Sequence, residues 1–215
     1  MNKDIILKVT KSFVKDKLYK EGSGHDWFHI KRVYNLATYL CEKEGGDEFI
    51  IKMTALLHDI DDWKFSNNSK TTENFLKSLN MDEKLINRIM DIITTMSYKG
   101  GVTDSTQNTL EGKIVQDADR LDAMGAVGIA RAFTYGGSKN RLMYNPDIKP
   151  MNFQNLEEVK QADNHTINHF YEKLLKLKDL INTDTAKQIA EERHRFMEIY
   201  LDEFYYEWNF NKEEE

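Results

Sequence analysis

The stretch MTALLHDIDDW (residues 53–63) is the key to this sequence, because an apolar segment ends there in a cluster of ionisable groups. Residues 53–57 have the composition of the buried side of a helix. His58–Asp59 follow at once, and the acidic pair Asp61–Asp62 comes next. Burying a carboxylate without a partner is costly. Either the helix emerges into water at this point, or these side chains bind something.

The composition favours a globular all-α protein. The chain has 215 residues, of which 40% are hydrophobic and 31% charged, which is typical of a folded chain with one domain. Apolar residues recur at helical spacing almost throughout, as in Ile30–Val33–Ala37, and the 2 prolines disfavour a sandwich or barrel. The stripe from Leu156 through Ile167 to Leu177 is interpreted as one helical face. "EGG" (44–46) and Thr183 or Asp184 are interpreted as helix ends.

Several classes of protein are disfavoured by the same data. The single cysteine, Cys41, excludes an internal disulfide framework and fits a reducing compartment. We find neither a signal peptide nor a run of roughly 18 apolar residues, so we expect a cytoplasmic protein with no membrane partner. The net charge of −6 argues against a large nucleic-acid partner. Small phosphorylated molecules remain possible, because a few local cations and a metal can hold them.

Two segments have the composition of loops, and one of them is long. Residues 97–108 (SYKGGVTDSTQN) and 135–154 (YGGSKNRLMYNPDIKPMNFQ) lack helical periodicity. Gly136 and Gly137 are interpreted as the end of the preceding helix. The second loop is unusually long for a compact domain, which suggests a lid or a substrate-binding loop.

A second polar cluster lies in GHDWFHIKRV (residues 24–33). His25 and His29 are four residues apart and are predicted to share one face of a helix that begins near Asp26. His29 also borders an apolar stripe, which places it at the edge of the core. His165, His169 and His194 are interpreted instead as polar contacts of the late helices.

A third cluster is IVQDADRLDAMG (residues 114–125), where Asp117, Asp119 and Asp122 interrupt an apolar helical run. Taken singly, each of the three clusters could be a capped helix start or a solvated turn. Taken together they form a mixed histidine and carboxylate set, which is the ligand chemistry of Mn²⁺, Fe²⁺, Co²⁺, Ni²⁺ or Zn²⁺. Mg²⁺ suits the oxygens but suits histidine less.

The order His29, His58–Asp59, Asp119 resembles that of the HD superfamily of metal-dependent phosphohydrolases. The segments HDWFHIKRV, ALLHDIDDWKF, SYKGG and QDADRLDAMGAVGIARAFTYGG are similar to a small bacterial subfamily of stand-alone HD hydrolases. The resemblance implies an all-α, HD-domain helical bundle. It implies a single domain over residues 1–215, with a motif-bearing core at about 20–140 and C-terminal helices (155–210) packed on it.

The resemblance also implies roles for individual residues. His29, His58, Asp59 and Asp119 are expected to bind one divalent metal ion, with Mn²⁺ favoured and Mg²⁺, Co²⁺, Ni²⁺, Fe²⁺ or Zn²⁺ as alternatives. Asp62 is the candidate catalytic acid or base, and a solvated carboxylate at a helix end is the alternative interpretation. The candidate substrate-binding residues are His25, Arg32, Lys99 and Arg120, because phosphate needs cationic donors.

The implied activity is metal-dependent phosphohydrolysis. The favoured form is a nucleotide pyrophosphohydrolase, in which metal-activated water converts a ribo- or deoxynucleoside triphosphate to the monophosphate and pyrophosphate. Phosphomonoesterase or phosphodiesterase action on a nucleotide or another small phosphate is an alternative, and so is a non-catalytic sensor that binds metal or nucleotide. A purely structural all-α interaction protein would bind no metal tightly. Both a monomer and a homodimer remain open.

Overall fold

The computed structural model describes residues 2–22, 24–61, 70–97, 101–155, 157–158 and 164–210. Within these ranges the chain forms nine α-helices, one 3-10 helix and no strand, so the all-α prediction is confirmed. The α-helices are α1 (Lys3–Leu18), α2 (Trp27–Glu44), α3 (Glu48–Leu57), α4 (Thr71–Ser78), α5 (Glu83–Thr95), α6 (Leu110–Asp122), α7 (Gly125–Ser138), α8 (Thr166–Glu172) and α9 (Asp184–Trp208), and the 3-10 helix is Leu174–Leu180.

Short polar side chains cap the N-termini of three helices of the fold. The side chain of Asp26 accepts a hydrogen bond from the His29 N–H (2.8 Å) and caps α2, while Asp47 and Asp82 cap α3 and α5 in the same way. Gly45 follows the last residue of α2 with φ of 88°, as predicted for EGG. The ends of these helices are therefore set by local sequence.

Helix α3 lies at the centre of the fold. Every residue from Phe49 to Leu57 except Lys52 is buried, and α1, α2, α5 and α6 pack around the helix. A helix that is apolar on nearly all sides has to be enclosed. α3 is enclosed up to its last residue, Leu57. The His58 and Asp59 that follow therefore lie inside the protein and do not emerge into water. The single domain over residues 1–215 stays a prediction.

The C-terminal region is more divided than its apolar stripe predicts. Lys173, at φ −137° and ψ −60°, separates α8 from the 3-10 helix, so the stripe does not form one continuous helix. Leu156 and Val159 lie outside the described residues. Thr183 is the N-cap of α9, as predicted, and α9 packs on α7, α6 and α2.

None of the helices in the described ranges is both long and apolar enough to cross a lipid bilayer.

The segment 135–154 forms a loop from residue 139 onward, and hydrogen bonds join this loop to α8. Its first four residues belong to α7, which continues past the predicted end at Gly136 and Gly137. The Leu142 carbonyl accepts a hydrogen bond from the Thr166 N–H (2.9 Å), so the loop backbone is attached to the start of α8. Farther along the loop, the Glu172 carboxylate accepts one from the backbone N–H of residue 151 (2.9 Å). A role of this loop as a lid or as a substrate-binding loop stays a prediction.

A buried carboxylate joins α9 to the core. Asp117 in α6 is fully buried, and its two oxygens accept four hydrogen bonds. The donors are the backbone and side-chain nitrogens of Asn182 (2.9 and 2.8 Å) and the N–H and hydroxyl of Thr183 (2.8 Å each). Asp117 is thus a structural residue that fixes the start of α9.

We predict that Asp117→Ala lowers the free energy of unfolding by at least about 2 kcal/mol, because it leaves several buried donors without an acceptor. Urea unfolding followed by circular dichroism measures the change. Asp202→Ala, which removes an exposed carboxylate of α9, should change stability by less than about 0.5 kcal/mol. Equal stabilities of the two variants would contradict the structural role.

Candidate metal centre

Three helices bring histidine and aspartate side chains to one buried point beside the C-terminal end of α3. His29 comes from the first turn of α2, His58 and Asp59 from the turn after α3, and Asp119 from α6. α2 packs against both α3 and α6, which brings the three segments together. The side chains of His29, His58 and Asp59 are buried, whereas that of Asp119 is 33% exposed. Solvent therefore reaches the cluster from the Asp119 side.

The histidine nitrogens of this cluster lie close to carboxylate oxygens, and His29, His58 and Asp119 form one possible ligand group for a metal ion. The Nε2 of His29 lies 3.3 Å from the Nε2 of His58, 3.2 Å from Asp59 Oδ2 and 3.6 Å from Asp119 Oδ1. The Nε2 of His58 lies 3.6 Å from Asp59 Oδ1 and 3.7 Å from Asp119 Oδ1. The structure thus brings together the four residues whose spacing in the sequence resembles the HD motif.

The hydrogen bonds of the two Nδ1 atoms leave both Nε2 atoms as acceptors, beside carboxylate oxygens that are acceptors too. His29 Nδ1 lies 2.7 Å from Asp122 Oδ2, and His58 Nδ1 lies 3.0 Å from the Ala55 carbonyl oxygen. Both oxygens must accept, so each Nδ1 carries the hydrogen. In the neutral rings both Nε2 lone pairs then face each other and two carboxylates. Such a set needs a cation at its centre, and its donors fit a divalent metal.

Without a metal, a proton supplies this positive charge. Burial would lower the pKa of His58, but the carboxylates of Asp59 and Asp119 outweigh it and raise that pKa to about 9. Burial would likewise raise the pKa of Asp59, but His58 together with hydrogen bonds from His25 and His29 holds it well below its usual range. The cluster therefore stays ionised at neutral pH.

We predict that metal binding releases about one proton per ion at pH 7.5, since His58 must lose its Nε2 proton to become a ligand. Apparent metal affinity should rise with pH up to about 9. Calorimetry of Mn²⁺ binding in two buffers with different heats of ionisation measures the proton number. A proton number near zero would contradict this account of the cluster.

A second buried carboxylate, Asp122, orients His29. Besides the His29 ring, Asp122 accepts hydrogen bonds from Arg32 Nε (2.7 Å) and Nη2 (3.0 Å), and Arg131 Nη1 lies 3.1 Å away. Burial would raise the pKa of Asp122, but the hydrogen bonds from His29 and Arg32 and the charge of Arg131 lower it to about 2. Asp122 therefore stays an acceptor and holds His29 in one tautomer.

We predict that Asp122→Asn weakens Mn²⁺ binding by roughly 10- to 100-fold, because the amide no longer stabilises and orients the His29 ring as a carboxylate does. Titration calorimetry on protein shown to be folded by circular dichroism measures the affinity. The control is Asp91→Asn, on the exposed surface of α5, which should bind Mn²⁺ like the wild type. Unchanged affinity in Asp122→Asn would rule out the orienting role.

His25 lies beside the cluster, although not on the predicted helix face, since α2 begins two residues later. Its Nδ1 lies 2.8 Å from Asp59 Oδ2, the same oxygen that faces His29. His25, His29 and Asp59 thus form a second possible ligand group that overlaps the first. The structure is compatible with His25 positioning Asp59, and its role in substrate binding stays a prediction.

The arginines predicted to contact phosphate are both bound to protein oxygens. Arg32 forms the bidentate contact with Asp122. Arg120 is buried, and it donates to the Leu180 carbonyl and to the Ser105 hydroxyl (3.2 Å). In these positions they support the fold and the site, and phosphate binding by either stays a prediction. Asp62 and Lys99 lie outside the described residues.

Sequence reasoning missed the roles of several charged residues. Asp122 lies one helical turn after Asp119, so its proximity to the cluster was detectable from the pattern. Arg131 reaches the site from α7, and its Nε also donates a hydrogen bond to the Gly24 carbonyl (2.8 Å). No local sequence pattern predicts these contacts between distant segments. Asp61 follows the cluster in the sequence, and its carboxylate accepts hydrogen bonds from the N–H groups of residues 71 (3.1 Å) and 72 (2.8 Å) at the start of α4.

Comparison with known proteins gives consistent matches. Residues 27–124 match the HD domain family. The Bacillus subtilis protein YpgQ is 42% identical over 192 residues, which cover 87% of this chain and 86% of YpgQ. The crystal structure of an HD-superfamily hydrolase from Bacillus thuringiensis is 47% identical with a TM-score of 0.74, and the match covers 98% of this chain and 100% of that one.

The crystal structure of B. subtilis YpgQ in complex with ADP also matches, with 38% identity and a TM-score of 0.74 over 96% of this chain and 98% of that one. Proteins with HD domains bind divalent metals, and the histidine and aspartate cluster needed for this is present here. The chain therefore belongs to the HD superfamily of metal-dependent phosphohydrolases and is similar to YpgQ over most of its length.

Proposed function

We propose that this protein is a nucleotide pyrophosphohydrolase, which converts a ribo- or deoxynucleoside triphosphate to the monophosphate and pyrophosphate. The observation that carries the proposal is the pair of imidazole Nε2 atoms, 3.3 Å apart, that faces the carboxylates of Asp59 and Asp119. This donor set fits one divalent metal. The ADP complex of the related YpgQ supports a nucleotide as the ligand.

The proposed ligands are His29, His58, Asp59 and Asp119. A divalent ion bound there would lower the pKa of a water molecule and polarise a phosphoryl oxygen. Mn²⁺ is the ion that we favour, and the mixed imidazole and carboxylate set also suits Fe²⁺, Co²⁺, Ni²⁺ or Zn²⁺. Asp119, with its partly exposed side chain, marks the side from which substrate enters.

Residues around the ligands hold them in place. Asp122 fixes the His29 ring, and the Ala55 carbonyl fixes the His58 ring. The charges of Arg32 and Arg131 compensate that of Asp122, which allows this carboxylate to stay buried and ionised. Three of the four proposed ligands are buried, and solvent reaches them from the Asp119 side. Asp62 is kept as the proposed acid or base.

A product assay tests the proposed function. We predict that metal-stripped protein supplied with Mn²⁺ converts nucleoside triphosphates to monophosphates and pyrophosphate, and that Asp119→Asn lowers the rate by at least about 100-fold. The asparagine keeps the shape of the side chain but removes a charged ligand. Asp104→Asn, an exposed control in the loop before α6, should retain the wild-type rate.

Other products would select between the alternatives. Nucleoside and orthophosphate formed from monophosphates would indicate a phosphomonoesterase, and cleavage of a phosphodiester would indicate a phosphodiesterase. Tight Mn²⁺ and nucleotide binding without turnover would favour a sensor. Each of these results would overturn the proposed pyrophosphohydrolase activity while leaving the metal centre intact.

A further inference from the structure

The last turn of α7 borders the candidate metal centre. The ring of Tyr135 lies 6.5 Å from the ring of His25, measured between centroids, and meets it edge-on. His25 in turn contacts Asp59 of the cluster at 2.8 Å. A chain of two contacts, through His25, therefore connects Tyr135 with the cluster.

The chain reverses sharply at the end of α7, and this turn determines where the next side chains lie. Asn140 has a φ of 55°, in the left-handed region that asparagine tolerates. Its N–H donates to the Gly137 carbonyl (3.1 Å), and the Arg141 N–H donates to the Gly136 carbonyl (2.9 Å). These two bonds form a Schellman motif. The motif directs Arg141 back along the helix towards Tyr135.

Close packing fixes the end of this helix in the fold. A β-carbon on Gly136 would lie 2.2 Å from the Thr166 hydroxyl oxygen, so α7 and α8 approach more closely there than a larger residue allows. The turn that follows is therefore carried by a rigid element, as a precise binding site requires.

Two cations lie at the ring of Tyr135. Lys139 Nζ and Arg141 Cζ are each 5.7 Å from its centroid, within cation–π range. In the described part of the chain no carboxylate lies within ion-pair distance of either cation. Arg32 and Arg131 are different, because Asp122 compensates both. The end of α7 thus presents two positive charges beside the cluster that no described carboxylate neutralises.

We propose that Lys139 and Arg141 bind the terminal phosphates of a nucleoside triphosphate whose reacting phosphate lies at the histidine and aspartate cluster. The inference rests on the proposed function and names what would select a triphosphate. Both cations lie 5.7 Å from the Tyr135 ring, which in turn lies 6.5 Å from the His25 ring. A polyphosphate chain together with the two long side chains can span the distance between these cations and His25. Charged donors are the groups that hold phosphate most strongly.

A simpler role for the same cations is to stabilise α7, since positive charges near a helix C-terminus interact favourably with its dipole. That role predicts a change in stability and no dependence on the number of phosphates in a ligand. Phosphate binding instead predicts that affinity depends on the number of phosphates in the ligand, with little change in the stability of the protein. Binding measured against phosphate number therefore separates the two.

The test uses Lys139→Met, Arg141→Met and the double variant. Calorimetry in the presence of Mn²⁺ measures binding of a triphosphate with a methylene bridge between its α and β phosphorus atoms, and of the matching monophosphate. We expect roughly tenfold weaker triphosphate binding for each single variant and up to about 100-fold for the double variant. Monophosphate and Mn²⁺ affinities should change by less than about threefold. Arg141→Lys should recover part of the loss.

The control is Lys113→Met/Arg195→Met, which removes the same net charge from exposed positions on α6 and α9. If the control weakens triphosphate binding as much as the double variant does, a general charge effect explains the result and the inference is overturned. Equal losses for triphosphate and monophosphate, or no loss, overturn it as well. Should the wild type bind the analogue selectively through these cations yet hydrolyse no triphosphate, the proposed function fails and this binding site stands.

Discussion

The arrangement of this protein depends on a group of buried acceptors that need a positive charge. Two imidazole Nε2 atoms and two carboxylates meet beside the end of α3, and the hydrogen bonds behind the rings keep a proton off each Nε2 in the neutral form. In the metal-free protein the cluster responds by raising the pKa of His58 to about 9. A divalent ion would supply the positive charge that these groups need, so the geometry of the cluster suits a metal.

The surrounding helices provide this geometry through packing and compensated charge. α3 is enclosed by its neighbours, which forces the residues after it to remain inside. Asp122 then links α2, α6 and α7, because His29, Arg32 and Arg131 all contact its carboxylate. A substitution at Asp122 should consequently affect both metal affinity and the packing of three helices. Asp117, five residues earlier in α6, has a structural role, because its carboxylate binds the residue that caps α9.

Much of the fold and of the candidate site could be predicted from local sequence. Helix starts followed from capping residues such as Asp26. Polar residues at the ends of apolar runs indicated three segments of the site, and the resemblance to the HD superfamily implied which of their residues would be ligands. Contacts between distant segments could not be predicted in this way. Arg120 looked suited to phosphate, but its guanidinium contacts a carbonyl 60 residues away. The Schellman turn at Asn140 was missed because Gly136 and Gly137 looked like the stronger stop signal, although both continue the helix.

The similarity to YpgQ and to the B. thuringiensis hydrolase agrees with this account at the level of family and metal-dependent phosphohydrolysis. The choice of substrate depends on what lies around the cluster, since one fold hosts several reactions. The proposed phosphate-binding cations at the end of α7, Lys139 and Arg141, would distinguish substrates by the number of their phosphates.

The most direct test of the central claim is a crystal structure of the protein soaked with Mn²⁺, with anomalous scattering used to locate the ion. The account predicts one strong peak at about 2.0–2.4 Å from His29 Nε2, His58 Nε2 and one oxygen each of Asp59 and Asp119. A peak that lacks either histidine, or an ion bound only elsewhere on the protein, would contradict it.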